Sequence, residues 1–122
     1  MDVVVTVPKS FEYNGKRGLA GWVAEGQLPG EPDGGEDWHF YLGGHPPNIK
    51  PGDRVYVVCE GKLRGYAPLV RVEHYGHNGY ALIRRGGAVA VTLKEPVRGF
   101  QGFRYRWWAR EDEIPFAEWQ EP

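Results

Sequence analysis

The sequence predicts a single α+β domain, mostly β, in which a small curved sheet is accompanied by one or two short helices. Three observations predict it. The chain has 122 residues, enough for one domain with a core of its own. It is punctuated by 18 Gly and 10 Pro, and no helical pattern runs much beyond ten residues, so strands are short and turns frequent. Between the turns lie β-branched runs and segments that alternate apolar with polar residues, the period of a strand.

The elements follow in order. Asp2 to Val7 is a β-branched run, a buried strand ended by Pro8. Lys9, Ser10 and Phe11 come directly after it, where a strand end brings residues to a rim. Asn14-Gly15 is a turn. Leu19 to Glu25 is the best helix, with Leu19, Trp22 and Val23 on one face and Gly26 as its stop. Residues 27 to 36, rich in Pro, Gly and acids, read as a surface loop. Trp38-His39-Phe40-Tyr41-Leu42 is an aromatic strand closed by Gly43-Gly44.

The stretch from Ile49 to Tyr75 organises the rest. Pro51-Gly52-Asp53 is a turn signature. From Arg54 the chain alternates, with Val55, Val57 and Cys59 on one face and Tyr56, Val58 and Glu60 on the other. Gly61-Lys62 permits a two-residue reversal, and Leu63 to Glu73 returns as the partner, interrupted at Gly65 and Pro68 by a bulge or bend. Tyr80 to Arg84 is a further strand, Gly86-Gly87 a reversal, and Ala88 to Leu93 its alternating partner. Val97 to Trp108 alternates aromatic and basic residues: Phe103, Tyr105 and Trp107 on one side, Arg104, Arg106 and Trp108 on the other. In the tail, Ile114, Phe116 and Trp119 are expected to pack onto the domain, with a helical turn after Pro115.

Overall charge gives no attraction to nucleic acid, since 15 basic residues face 16 acidic ones. Their distribution is uneven. From Lys62 to Arg110 there are ten Lys or Arg and two acids, Glu73 and Glu95. Such a half suits a phosphate-tracking face, or equally a solvated exterior. The single Cys59 excludes an internal disulfide and reads as a small buried apolar residue. The opening MDVVVTVPKS resembles neither a signal peptide nor a membrane span, so a cytoplasmic protein without membrane association is expected. No nucleotide-binding, nucleophile-elbow or zincin motif is present. His74 and His77 lack companion ligands, so neither a metal nor another cofactor is expected.

The order of residues in the organising hairpin carries a resemblance. Lys50, then Gly52-Asp53 and a strand, then Arg64-Gly65 and a strand with Val70 and Val72, is similar to the central hairpin of the PUA-like superfamily, the small β-barrels that include ASCH, EVE and YTH domains. The first strand running into Pro8-Lys9-Ser10 resembles the opening of EVE domains. The resemblance implies a PUA-like small curved β-barrel over residues 1 to 122, capped by the helix at 19 to 25.

It further implies a site that takes a flipped base between barrel and helix. Carried over by position, that site would be lined by Lys9, Ser10, Trp22, Trp38, His39, Phe40 and Tyr41. The residues themselves add Arg104 and Arg106, because cations beside aromatic rings suit phosphate pairing and base stacking. The expected ligand is therefore RNA, DNA or a modified nucleobase. The alternative is an ASCH-type small hydrolase acting on modified nucleosides or RNA. Lys9 or Lys16 would then be base or nucleophile and Glu73 its partner, although the full ASCH motif after Asn14-Gly15-Lys16 is absent. A third possibility is a protein-interaction module using the aromatic strand.

Overall fold

The computed structural model describes residues 1–8, 10–13, 15–18, 38–76, 79–84 and 89–115, with backbone alone at 12, 13, 16, 38 and 39. The strands are β1 (Val3–Thr6), β2 (Glu12–Tyr13), β3 (Lys16–Arg17), β4 (Trp38–Gly43), β5 (Arg54–Cys59), β6 (Lys62–Pro68), β7 (Arg71–His74), β8 (Gly79–Arg84), β9 (Val89–Thr92), β10 (Phe103–Tyr105) and β11 (Ile114–Pro115). A six-stranded sheet has the order β10-β1-β5-β6-β9-β11, a three-stranded sheet the order β4-β8-β7, and β2 with β3 forms a small hairpin.

The predicted organising hairpin is the middle of the large sheet. Lys50 C=O accepts from Asp53 N–H at 2.9 Å, and Gly52 takes φ +90° between them, the left-handed position that this turn demands. β5 and β6 then pair antiparallel from Arg54↔Pro68 to Cys59↔Lys62. The reversal is Glu60-Gly61, one residue earlier than expected, with φ 53° and 79°. Positive φ at both positions is the type I′ turn, whose twist matches that of the flanking strands and sets the register.

The interruption at Gly65 is a bulge. Val57 pairs with Gly65 but Val58 with Leu63, leaving Arg64 as the extra residue. Without it, Leu63 and Ala67 would share a face, being four apart. With it, Leu63 packs on one side of the sheet and Ala67 on the other.

Both faces of the large sheet are buried, so the apolar residues run on rather than alternate. Val3, Val5, Val55, Val57, Cys59 and Ala67 pack against Tyr80 and Leu82 of the small sheet. Val4, Tyr56, Val58 and Leu63 form a second core with Val91 and Val97. Val3, Val4 and Val5 are fully buried, each contributing about 1.5–3 kcal/mol relative to exposure. β1 holds this place because it runs parallel to β5 along one edge and antiparallel to β10 along the other.

Four expectations are corrected. The sheets do not close into a barrel among the described residues. Leu69 N–H, just past Pro68, still donates to Asp53 C=O at 2.8 Å, and the next residue, Val70, donates to Ile83 C=O at 2.7 Å, so the chain passes there from the large sheet to the small one. β9 does not pair with β8, which has β4 and β7 as its two neighbours; it pairs with β6 instead. The long strand from 97 to 108 shrinks to Phe103–Tyr105. Ile114 is 48% exposed rather than packed. The helix at 19 to 25 and the turn after Pro115 lie outside the described residues. No helix among those described is long and apolar enough to cross a membrane.

Candidate functional site

The second face of the large sheet is covered by the chain itself. After β9, residues 93 to 102 cross it to reach β10 on the far edge. The crossing is pinned where Val97 N–H donates to Gly61 C=O at 2.9 Å and Phe100 N–H to Thr6 Oγ1 at 3.1 Å. After β10, residues 106 to 113 return to the edge where β11 pairs with β9. On this face, rings from the crossing segments continue a row begun by Tyr66 and Tyr56 of the sheet itself. Tyr66 meets Tyr56 at 5.2 Å between centroids, Tyr56 meets Trp108 at 5.1 Å, Trp108 meets Trp107 at 4.9 Å, and Trp107 meets Phe100 at 6.5 Å. An arginine caps each end: Arg54 lies 4.1 Å over Tyr66 and Arg104 lies 4.6 Å over Phe100.

Two buried carboxylates fix the return segment. Asp2 Oδ2 accepts from Arg106 Nε at 3.1 Å and from Arg110 Nη2 at 2.9 Å, while Oδ1 accepts from Arg54 N–H at 2.9 Å. Burial by itself would raise the Asp2 pKa, but the Arg54 amide and the two guanidinium groups outweigh it and hold the group below its ordinary value. Glu113 Oε2 accepts from Tyr56 Oη at 2.5 Å and from Trp108 Nε1 at 2.9 Å, and its Oε1 accepts from Arg54 Nη1 at 3.2 Å. Burial, and then the bond to Glu113, push the Tyr56 hydroxyl up to about 12. Arg106 also donates to the Trp108 carbonyl. Trp108 is thus held by both its backbone and its indole N–H.

Against this fixed indole opens a cleft of about 490 Å³. Its apolar lining is Leu93, Trp107, Trp108 and Ile114, and its polar lining Lys94, Glu95 and Asp112. Trp107 is 54% exposed and stands at 86° to Trp108, so the two rings form a corner. A planar group can lie on one indole with its edge toward the other.

The expected site residues are dispersed. Lys9 and Trp22 lie outside the described residues, and Trp38 and His39 are described only by their backbone in β4. Ser10 is exposed in the turn after β1. Phe40 packs on the core between the sheets. Tyr41 is 68% exposed on the opposite face of β4, its ring 5.7 Å from Tyr75. Arg104, opposite Val4 in the register, belongs to the far side of the large sheet, so it and Tyr41 do not share a cleft. Arg106 is not a solvent-facing cation but is bound to Asp2. Glu73 accepts from Arg71 at 2.7 Å and from Tyr75 Oη at 2.7 Å, and the latter bond pushes the Tyr75 hydroxyl up to about 12.

Sequence reasoning missed Trp107. Alternation carried through from Phe103 places it with the buried residues, but the strand stops at Tyr105 and the phase is lost. Two consecutive indoles on an extended chain point to opposite sides, as the alternation already had it, but which of the two meets solvent is set by the loss of phase after Tyr105. Arg104 does come near Trp107, one ring away across Phe100. Among the described residues, no group of three or more His, Cys, Asp or Glu is placed to hold a metal ion. Comparison with protein-family models, with curated proteins and with solved structures finds no match.

Proposed function

We propose that this domain binds a nucleobase, presented by single-stranded RNA or DNA or as a modified nucleoside, in the cleft beside Trp107 and Trp108. The observation that carries the proposal is an indole 54% exposed that forms a corner with a second indole, fixed by its bond to Glu113, in the lining of a mostly apolar cleft. Exposing a large ring beside other apolar groups is costly in water unless a ligand covers it. A base stacked on an aromatic side chain contributes about 1–3 kcal/mol and is accepted whatever its sequence. Arg104, held over Phe100, does not line the cleft, so the reading rests on the two indoles. The PUA-like resemblance of residues 49 to 75 implied a base site elsewhere, at the rim near Lys9, so the present reading rests on the cleft itself.

Titration of tryptophan fluorescence with nucleosides and with short single strands tests the proposal. Quenching is expected that saturates and is lost in Trp107→Ala. Unchanged emission across all these ligands, or equal binding by wild type and Trp107→Ala, refutes it.

A further inference from the structure

The indole walls distinguish a base from a non-aromatic ligand but not one base from another, because every base has a π face. Discrimination falls to the polar groups of the lining, which are Glu95, Asp112 and Lys94. All three are exposed. Two are carboxylates, which accept hydrogen bonds, and one is an ammonium, which donates them. The bases differ in this respect. Guanine offers two adjacent donors, its ring N1–H and exocyclic amine, beside one acceptor, O6. Uracil and thymine offer one donor between two acceptors. Adenine and cytosine offer an amine beside ring acceptors. Carboxylates set against the uracil edge would meet lone pairs, which repel them, whereas the guanine edge offers them two donors.

Resting on the nucleobase reading above, we infer that the base taken by the cleft is guanine, its two donors paired to the carboxylates of Glu95 and Asp112 and its O6 to the ammonium of Lys94. The chemistry is that of the guanine edge, whether it comes on a free nucleotide or on an unpaired residue of a strand.

The test is fluorescence titration of the full chain with GMP, IMP, AMP and UMP, and with short single strands of guanine or of uracil. GMP is expected to bind on the order of tenfold more tightly than UMP and than IMP, which lacks only the exocyclic amine. In the double variant Glu95→Gln, Asp112→Asn the preference is expected to collapse while stacking persists. These side chains are exposed, and an unchanged circular dichroism spectrum verifies the fold. Binding by the guanine strand without GMP assigns the source to a strand, and binding by both assigns it to the base alone. Equal affinity for the four nucleotides, or a guanine preference that survives in the double variant, overturns the inference and leaves base binding standing. Absence of binding by every nucleotide and strand removes both.

Discussion

Replacing Asp2 with alanine is expected to cost about 3–5 kcal/mol, the range for breaking a buried ion pair by removing one partner. The magnitude follows from the geometry. The Asp2 side chain is 4% exposed. Its bond from the Arg54 amide and its bond from Arg106, whose side chain is 24% exposed, are sheltered, and each hydrogen bond to a charged group contributes roughly 1.5–3 kcal/mol. Arg110 is 49% exposed, so its pair adds at most about 1 kcal/mol. Asp2→Asn keeps an acceptor for the Arg54 amide and is expected to cost roughly half as much as alanine. Urea unfolding at pH 7, followed by tryptophan fluorescence, measures both.

The sign with pH is fixed as well. The folded Asp2 pKa lies below its ordinary 3.8, so the contribution is fully present above the ordinary carboxylate range and is lost as pH falls through the folded value. Wild type should therefore lose stability below about pH 4 more steeply than Asp2→Asn. A cost below about 1 kcal/mol for Asp2→Ala with unchanged m, or parallel acid profiles for wild type and Asp2→Asn, would refute the reasoning.

Further outcomes are expected elsewhere. Trp107→Ala should change stability by no more than about 1 kcal/mol, because the ring is half exposed, whereas Trp108→Ala should cost about 3–5 kcal/mol through its packing on Tyr56; equal costs in urea unfolding would contradict the assignment of one ring to the cleft and the other to the wall. With the Tyr56 hydroxyl at about 12, its contribution is complete below pH 10 and is lost as pH rises through about 12, so Tyr56→Phe should flatten the alkaline limb of the stability profile. A limb identical to wild type would count against it. Glu60 occupies φ 53°, which Asn tolerates better, and Glu60→Asn should stabilise the hairpin by about 0.5–1 kcal/mol. A fall in the melting temperature would show that its side chain outweighs the turn.

The local elements were legible because each was written in adjacent residues. Pro51-Gly52-Asp53 fixes its own turn, the valines of β1 and β5 favour buried strand, and Gly65 marks an interruption, bulge or bend, that the register resolves as a bulge at Arg64. The partner of a strand is a different matter. Ala88 to Leu93 looks like the return of a hairpin from Tyr80 to Arg84, yet β8 has both edges occupied by β4 and β7, a fact of sheet order that no local pattern records. The cleft was hidden for the same reason. Arg106 reads as a cation for a ligand until Asp2, 104 positions away, is found against it.

The sequence by itself determined a mostly-β chain with these turns, because dihedral preference and two-residue alternation act between neighbours along the backbone. Only the tertiary structure decided which strands pair, which arginines are neutralised and which of two adjacent indoles meets solvent. Those outcomes depend on groups far apart in sequence competing for the same buried volume and the same hydrogen bonds. Trp108 wins a place over Tyr56 and a bond to Glu113, and Trp107, one residue earlier, is left outside to line the cleft.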